Sequence, residues 1–147
     1  MLFPADIQEI ISTYGENVKP YYRNVINDRS KIIAANGGTL EVIAKAPADA
    51  TVFITNFVGF NLKGVTVNIT GNGNKTFTDN AIPCELFTNE LTGTSGSNDI
   101  VIRSNATHSL PTILKLLRNE ELIFTFTNNN TTNVTSPLFV MSGFKVY

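Results

Sequence analysis

The sequence predicts an all-β protein: an antiparallel β-sandwich of jelly-roll type, with about eight or nine strands and a short N-terminal helix. From Arg29 onward, short segments rich in Val, Ile, Phe and Thr are separated by Gly, Pro and Asn turns at the close spacing of sandwich strands. No long helical pattern separates these segments, which argues against a parallel α/β arrangement. We therefore divide the 147 residues into an arm, residues 1–28, and a sandwich domain, residues 29–147.

The arm begins with an amphipathic pattern at residues 4–14. Its apolar residues recur at spacings of three, four and seven, which is one face of a helix: Ile7, Ile10, Ile11 and Tyr14. Such a short helix is not stable alone in water, so this face must dock on another surface. That surface is either the chain's own domain or a neighbouring subunit, and we assign the four residues as partner-binding anchors. Residues 15–28, which include Tyr21 and Tyr22, show no period and predict an irregular connector.

The sandwich domain contains a series of predicted strands. They cover residues 31–35, 39–46, 51–57, 65–70, 75–78, 100–103, 113–117, 122–127 and 137–147. The turn Asn36-Gly37-Gly38 predicts a hairpin between the first two strands, because Asn-Gly accepts positive φ angles at low cost. Residues 113–117 also suit one turn of helix, but we favour a strand.

The charge balance excludes partners that bind through bulk charge. The chain has 11 Lys and Arg against 12 Asp and Glu, a net charge of -1. It therefore has no global field to attract nucleic acid or an anionic membrane. Only 16% of residues are charged, below the usual quarter, while 18 are Asn and 18 are Thr. Much of the polar surface is therefore expected to be neutral.

The N-terminal sequence Met1-Leu2-Phe3-Pro4 lacks the features of a secretory signal. It has no basic region, and no long apolar run follows it. No apolar stretch approaches the roughly 18 residues needed to span a bilayer. We expect a soluble product made in the cytoplasm, and the single Cys84 cannot form a disulfide within the chain.

The sequence offers few residues for catalysis or for metal binding. His108 is the single histidine, so a zinc site lacks ligands and no activated nucleophile is indicated. The turn Gly71-Asn72-Gly73 lacks the Lys-Ser/Thr ending of a phosphate-binding loop. Asp79 and Asp99 lie in loops without a spaced set of carboxylates, which leaves weak calcium binding as an open alternative. We predict no enzyme activity, no catalytic residue and no cofactor.

A glycan-binding module is the alternative function. Small β-sandwiches include lectin domains, and their loops are positioned for surface recognition. The candidate recognition loop is small and polar: Gly93, Thr94, Ser95, Gly96, Ser97 and Asn98. The chain has no Trp to stack on a sugar ring, which weakens this alternative.

Two stretches, Leu110–Asn128 and Leu138–Val146, resemble small β-sandwich proteins of bacterial virus particles. In those proteins an apolar segment after a proline leads through a polar turn into a Leu-x-Phe-x-x-x-Asn strand. An apolar strand broken by Gly then ends the chain. The Asn36-Gly37-Gly38-Thr39 turn is also similar to that group. The resemblance covers roughly residues 29–147.

This resemblance implies a virion structural protein without enzyme activity. A capsid decoration, minor capsid or head-tail accessory protein would bind other virion proteins and copies of itself. Its location would be the virion, after synthesis in the host cytoplasm. Neither nucleic acid nor membrane is expected as a partner.

Overall fold

The computed structural model describes residues 17–26, 30–71, 76–86, 91–93, 100–102 and 109–147. At 91–93, 100–102 and 109–112 the description covers the backbone. Within these ranges the protein is all-β and its strands pair antiparallel, as the sequence predicts. The helix predicted over residues 4–14 lies outside the described residues, and so do its anchors Ile7, Ile10, Ile11 and Tyr14.

The strands of the described part are named in chain order. They are β1 (Val18–Ile26), β2 (Ile32–Ile33), β3 (Gly38–Lys45), β4 (Thr51–Phe60), β5 (Val65–Gly71), β6 (Ile82–Pro83), β7 (Leu91–Gly93), β8 (Ile100–Ile102), β9 (Ser109–Leu116), β10 (Glu121–Asn128), β11 (Val134–Thr135) and β12 (Leu138–Val146). A 3₁₀ turn, Cys84–Leu86, follows β6.

Two four-stranded sheets make up the body of the fold. The first sheet has the strand order β1-β12-β4-β9, and the second has the order β3-β10-β5-β6. Two small pairs, β2 with β11 and β7 with β8, lie outside these sheets. The arrangement is sandwich-like, because one core cluster contains side chains from both four-stranded sheets.

Four phenylalanines join the two sheets at the centre of this core. Phe57 and Phe139 come from the first sheet, and Phe124 and Phe126 come from the second. Ring centroids lie 5.8 Å apart for Phe57 and Phe124 and 5.2 Å apart for Phe126 and Phe139, and both pairs meet edge to face. This geometry suits the aromatic quadrupole and adds to the stabilisation from apolar burial.

Strand β1 corrects the predicted connector, which is wrong over residues 18–26. β1 pairs with β12 along most of its length, from Val18 opposite Val146 to Ile26 opposite Phe139. Tyr21, Val25 and Ile26 are buried, so this strand contributes to the core. The sequence does not predict this strand because Pro20 and several Asn residues interrupt the apolar pattern. Its pairing partner, β12, lies more than a hundred residues away in sequence.

The predicted hairpin around Asn36 and Gly37 is also wrong in its pairing. Both residues have positive φ angles, 57° and 87°, as the turn prediction requires. The strands on either side do not pair with each other, however, because β2 pairs with β11 and β3 pairs with β10. The strand predicted over 75–78 is reduced to an isolated bridge between Thr70 and Thr76 in the described residues. Of the favoured strand at 113–117, residues 113–116 are confirmed as part of β9, which ends at Leu116.

Asn128 connects the segments at one end of the sandwich and is fully buried. Its Nδ2 donates hydrogen bonds to the carbonyl oxygens of Ile33 and Thr132, each at 2.9 Å. Its Oδ1 accepts hydrogen bonds from the backbone N and the Nδ2 of Asn130, at 2.9 and 2.8 Å. Asn130 in turn donates to the carbonyl oxygen of Lys63 at 2.7 Å. The side chains of Asn128 and Asn130 therefore connect the turn at residues 128–132 to two segments that are distant in sequence, at Ile33 and at Lys63.

Candidate interaction face

The register of the strands decides which side chains face the core and which face outward. Residues paired across neighbouring strands lie on the same side of a sheet. In the first sheet, Met141 pairs with Phe57 and belongs to the core cluster, so its row faces inward. The neighbouring row, Val140 with Val58, therefore faces outward.

The outer face of the first sheet is mainly apolar. Its rows run from Leu138 with Phe60 to Val146 with Thr51. The apolar members of these rows on β1, β4 and β12 are Val18, Pro20, Tyr22, Phe53, Val58, Phe60, Leu138, Val140, Phe144 and Val146. Tyr22 is 77% exposed, and most of the others are partly buried. We call this surface the apolar face.

The outer face of the second sheet has the opposite character. Nine of its eleven residues on β3, β5 and β10 are polar, and five of these are Thr: Thr39, Glu41, Ile43, Lys45, Thr66, Asn68, Thr70, Glu121, Ile123, Thr125 and Thr127. This face follows the ordinary alternation of a sheet with one solvated side. The two outer surfaces of the sandwich therefore differ, and the apolar face is the one suited to contact with another protein surface.

The edges of the sheets are poorly suited to the addition of another strand. In the described residues, prolines lie in three of the four edge strands of the two four-stranded sheets: Pro20 in β1, Pro83 in β6 and Pro111 in β9. Proline has no N–H group to donate to an added strand. On the remaining edge, β3, Arg23 Nη1 donates a hydrogen bond to the carbonyl oxygen of Lys45 at 3.0 Å. Contact through a face is therefore favoured over extension of a sheet.

Part of the predicted recognition loop lies outside the described residues. Gly93 is the last residue of β7, and residues 94–98, which are Thr94, Ser95, Gly96, Ser97 and Asn98, are not described. The two neighbouring tyrosines lie in different environments: Tyr21 is 8% exposed and packs in the core, whereas Tyr22 is exposed. His108 also lies outside the described residues.

The described residues supply little for small-molecule chemistry. A groove of about 210 Å³ lies between β1 and β3 beside Lys31 and Glu41, and a shallow one of about 250 Å³ lies beside Asn61 and Lys63. Both are smaller than the roughly 300 to 1,000 Å³ of typical ligand pockets. In the described ranges, no group of three or more His, Cys, Asp or Glu side chains is placed to hold a metal ion.

Cys84 is fully buried and is not an activated nucleophile. Burial raises the pKa of its thiol to about 12, and the neighbouring Glu85 carboxylate adds to the shift. A raised pKa keeps the group in the neutral thiol form, whereas a reactive cysteine needs a lowered one. Its role is therefore packing.

Comparison with protein-family models, with curated proteins and with solved structures gives no match. Among the described residues, no helix is long and apolar enough to cross a membrane. The geometry of the two outer faces is therefore the main structural guide to function.

The apolar face was not predicted from the sequence, although the sequence contains a pattern that indicates it. The runs Phe57-Val58-Gly59-Phe60 in β4 and Leu138-Phe139-Val140-Met141 in β12 are continuously apolar. A strand with one solvated side alternates, as β3 and β10 do, whereas a continuous run indicates a strand with apolar residues on both faces. The contrast between these two kinds of strand identifies the first sheet as the one with an apolar outer side.

Proposed function

We propose that this protein is a non-enzymatic virion structural protein, a capsid decoration, minor capsid or head-tail accessory subunit that assembles through the apolar face. The observation that carries the proposal is the difference between the two outer surfaces. A protein that lies against another protein layer benefits from one apolar side and one neutral polar side. The outer face of the second sheet suits close arrays of copies, because six of its nine polar residues are neutral and its three charged residues, Glu41, Lys45 and Glu121, are of mixed sign.

We also infer that the sandwich is of jelly-roll type, and the strand order supports this inference. The eight sheet strands in chain order are β1, β3, β4, β5, β6, β9, β10 and β12. The first of them pairs with the eighth, the second with the seventh, the third with the sixth and the fourth with the fifth. That nested pairing is the wrapping pattern of a jelly roll. Jelly rolls occur in viral capsid proteins and in lectin domains.

The dimensions of the apolar face favour assembly in many copies. Its three strands, about 4.8 Å apart and nine residues long, cover roughly 400 Å². A stable one-to-one complex buries about 800 Å² on each partner. The face alone is therefore somewhat small for a tight isolated dimer, which fits a subunit held by several contacts in a particle.

Recognition of glycan is the second candidate function, and exposed Tyr22 is the observation that favours it. An exposed aromatic ring is the side chain that sugar sites stack on. Tyr22 stands between Pro20 and Asn24 on the outer side of the edge strand β1, and it lines neither of the two grooves described above. We therefore rank glycan recognition below the structural role.

Mass spectrometry of purified particles tests the proposed function. Particles from cultures of the source would be separated from soluble protein on a density gradient, and this chain would be quantified relative to the other particle proteins. We expect it to sediment with particles at a fixed copy number. Recovery of the chain from the soluble fraction alone would contradict the virion role, and glycan-array binding lost in Tyr22→Ala would support the second candidate instead.

A further inference from the structure

Three consecutive backbone N–H groups tie residues 35–37 to the segment 128–133. The bonds run from Ala35 N to Asn133 Oδ1 at 3.0 Å, from Asn36 N to the carbonyl oxygen of Asn130 at 2.8 Å and from Gly37 N to the carbonyl oxygen of Asn128 at 2.7 Å. Asn36 and Gly37 are exposed, and apart from its chain neighbours nothing lies within 4 Å of the position that a Cβ on Gly37 would occupy. Asn128 is fully buried, so the Gly37 N–H points away from solvent. The Asn-Gly pair is therefore open to water on one side and held at its backbone on the other.

An asparagine followed by glycine is prone to attack by its own backbone, because glycine has no Cβ to obstruct the approach. After hydroxide removes its proton, the Gly37 backbone nitrogen attacks Cγ of Asn36. A nitrogen–carbon bond forms, the Cγ–Nδ2 bond breaks, and Nδ2 takes a proton from water and leaves as ammonia. Water then opens the cyclic imide at one of its two carbonyl carbons, which leaves aspartate or isoaspartate at position 36. The reaction needs no reagent other than water and hydroxide.

We propose that Asn36 is a site of spontaneous deamidation and that the segment 128–133 controls its rate. The nitrogen that must attack is the one whose N–H group donates to the buried carbonyl of Asn128, so hydroxide does not reach its proton while the turn is closed. The reaction therefore proceeds from open states in which residues 35–37 have left the segment, and its rate follows the population of those states. The Asn128 side chain keeps this population small, because it fixes the segment by accepting two hydrogen bonds from Asn130.

Deamidation of Asn36 weakens the entry to β3. In isoaspartate the main chain runs through the side chain, which adds one atom to the backbone between the nitrogens of residues 36 and 37. The two acceptors, the carbonyl oxygens of Asn130 and Asn128, stay where the segment holds them, so both hydrogen bonds cannot keep their lengths. Either product also adds negative charge to a chain whose net charge is -1. The inference is independent of the virion role, because it concerns a reaction within one chain.

Peptide mapping by mass spectrometry tests the site and its control by the fold. The full-length protein and a synthetic peptide of residues 31–42 are incubated at mildly alkaline pH, and mapping separates Asn36 from the second Asn-Gly pair at Asn72. We expect Asn36 to deamidate about thirtyfold more slowly in the protein, which corresponds to about 2 kcal/mol, or two net hydrogen bonds, for opening the turn. Equal rates would overturn control by the segment. If the protein shows no product at Asn36 after a time long enough to detect this slower rate, Asn36 is not a deamidation site.

A variant of the segment separates local control from the general effect of folding. Asn133→Ala removes the acceptor of the Ala35 N–H, and Asn129→Ala is the matched control at an exposed position whose backbone N bonds Gly64. We expect Asn133→Ala to speed deamidation at Asn36 about fivefold, as the loss of one net hydrogen bond implies, and to speed hydrogen exchange of the Gly37 amide by the same factor. Asn129→Ala should change neither rate. Faster exchange at Gly37 without faster deamidation, or wild-type rates of both in Asn133→Ala, would overturn the proposed control.

Discussion

Replacing Asn128 tests the polar connection at the end of the sandwich. The variant Asn128→Ala removes four hydrogen bonds from a fully buried side chain, two donated and two accepted. Each is worth about 1 kcal/mol net, and loss of the side chain leaves the buried carbonyl of Ile33 without its donor. We therefore expect the free energy of unfolding to fall by about 3 to 5 kcal/mol, a large part of the 5 to 15 kcal/mol typical of a domain.

Denaturant unfolding followed by circular dichroism measures this loss, and thermal unfolding should show a midpoint lower by about 10 °C. Asn129→Ala is the matched control, because Asn129 is exposed and uses its backbone N to bond Gly64. We expect the control to change stability by less than about 0.5 kcal/mol. Asn128→Asp keeps the size but loses both donors, so it should be at least as unstable as Asn128→Ala. A loss below about 1 kcal/mol in Asn128→Ala would show that these four hydrogen bonds do not stabilise the fold.

Two further predictions concern buried polar atoms. The Tyr21 hydroxyl is buried without a hydrogen-bond partner in the described structure. Tyr21→Phe should therefore leave the free energy of unfolding unchanged or raise it by about 1 kcal/mol. A clear loss of stability in denaturant unfolding would show that the hydroxyl has a partner. Because the Cys84 thiol pKa is raised from 9.0 to about 12, the folded state favours the neutral thiol, and this stability is present below pH 9 and lost as the pH rises toward 12. The difference in the free energy of unfolding between wild type and Cys84→Ser should therefore narrow above pH 9. A thiol reagent at pH 8 should label Cys84 only as fast as the protein unfolds. Rapid labelling of the native protein would contradict the burial of Cys84.

The sequence predicted strands well where one side of the sheet faces water. β3, β5 and β10 alternate apolar and polar residues, and on each strand the apolar side is the more buried one. Local patterns did not predict which distant strands pair with each other. Nothing near Tyr21 indicates that β1 pairs with β12, and nothing near Ile33 indicates that β2 pairs with β11.

Asn128 and the apolar face show the same difference between what a local pattern predicts and what depends on distant residues. Asn128 has the parity of buried Leu122, Phe124 and Phe126 in β10, so its inward position was readable from the strand. Its hydrogen bonds were not, because the pattern of a strand does not show a partner such as Ile33, which lies 95 residues away in sequence. The apolar face required the register of β12 against β4, which brings Val140 beside Val58 and Leu138 beside Phe60.

Incorporation of face variants into particles tests most directly whether the apolar face is the assembly surface. Val140→Lys places a charge on the apolar face, and Thr125→Lys places the same charge on the outer face of the second sheet. Thermal unfolding first establishes that both variants fold with stabilities within about 1 kcal/mol of each other. We predict that Val140→Lys is lost from particles at least tenfold while Thr125→Lys is incorporated like wild type. Equal incorporation of the two folded variants would contradict the account.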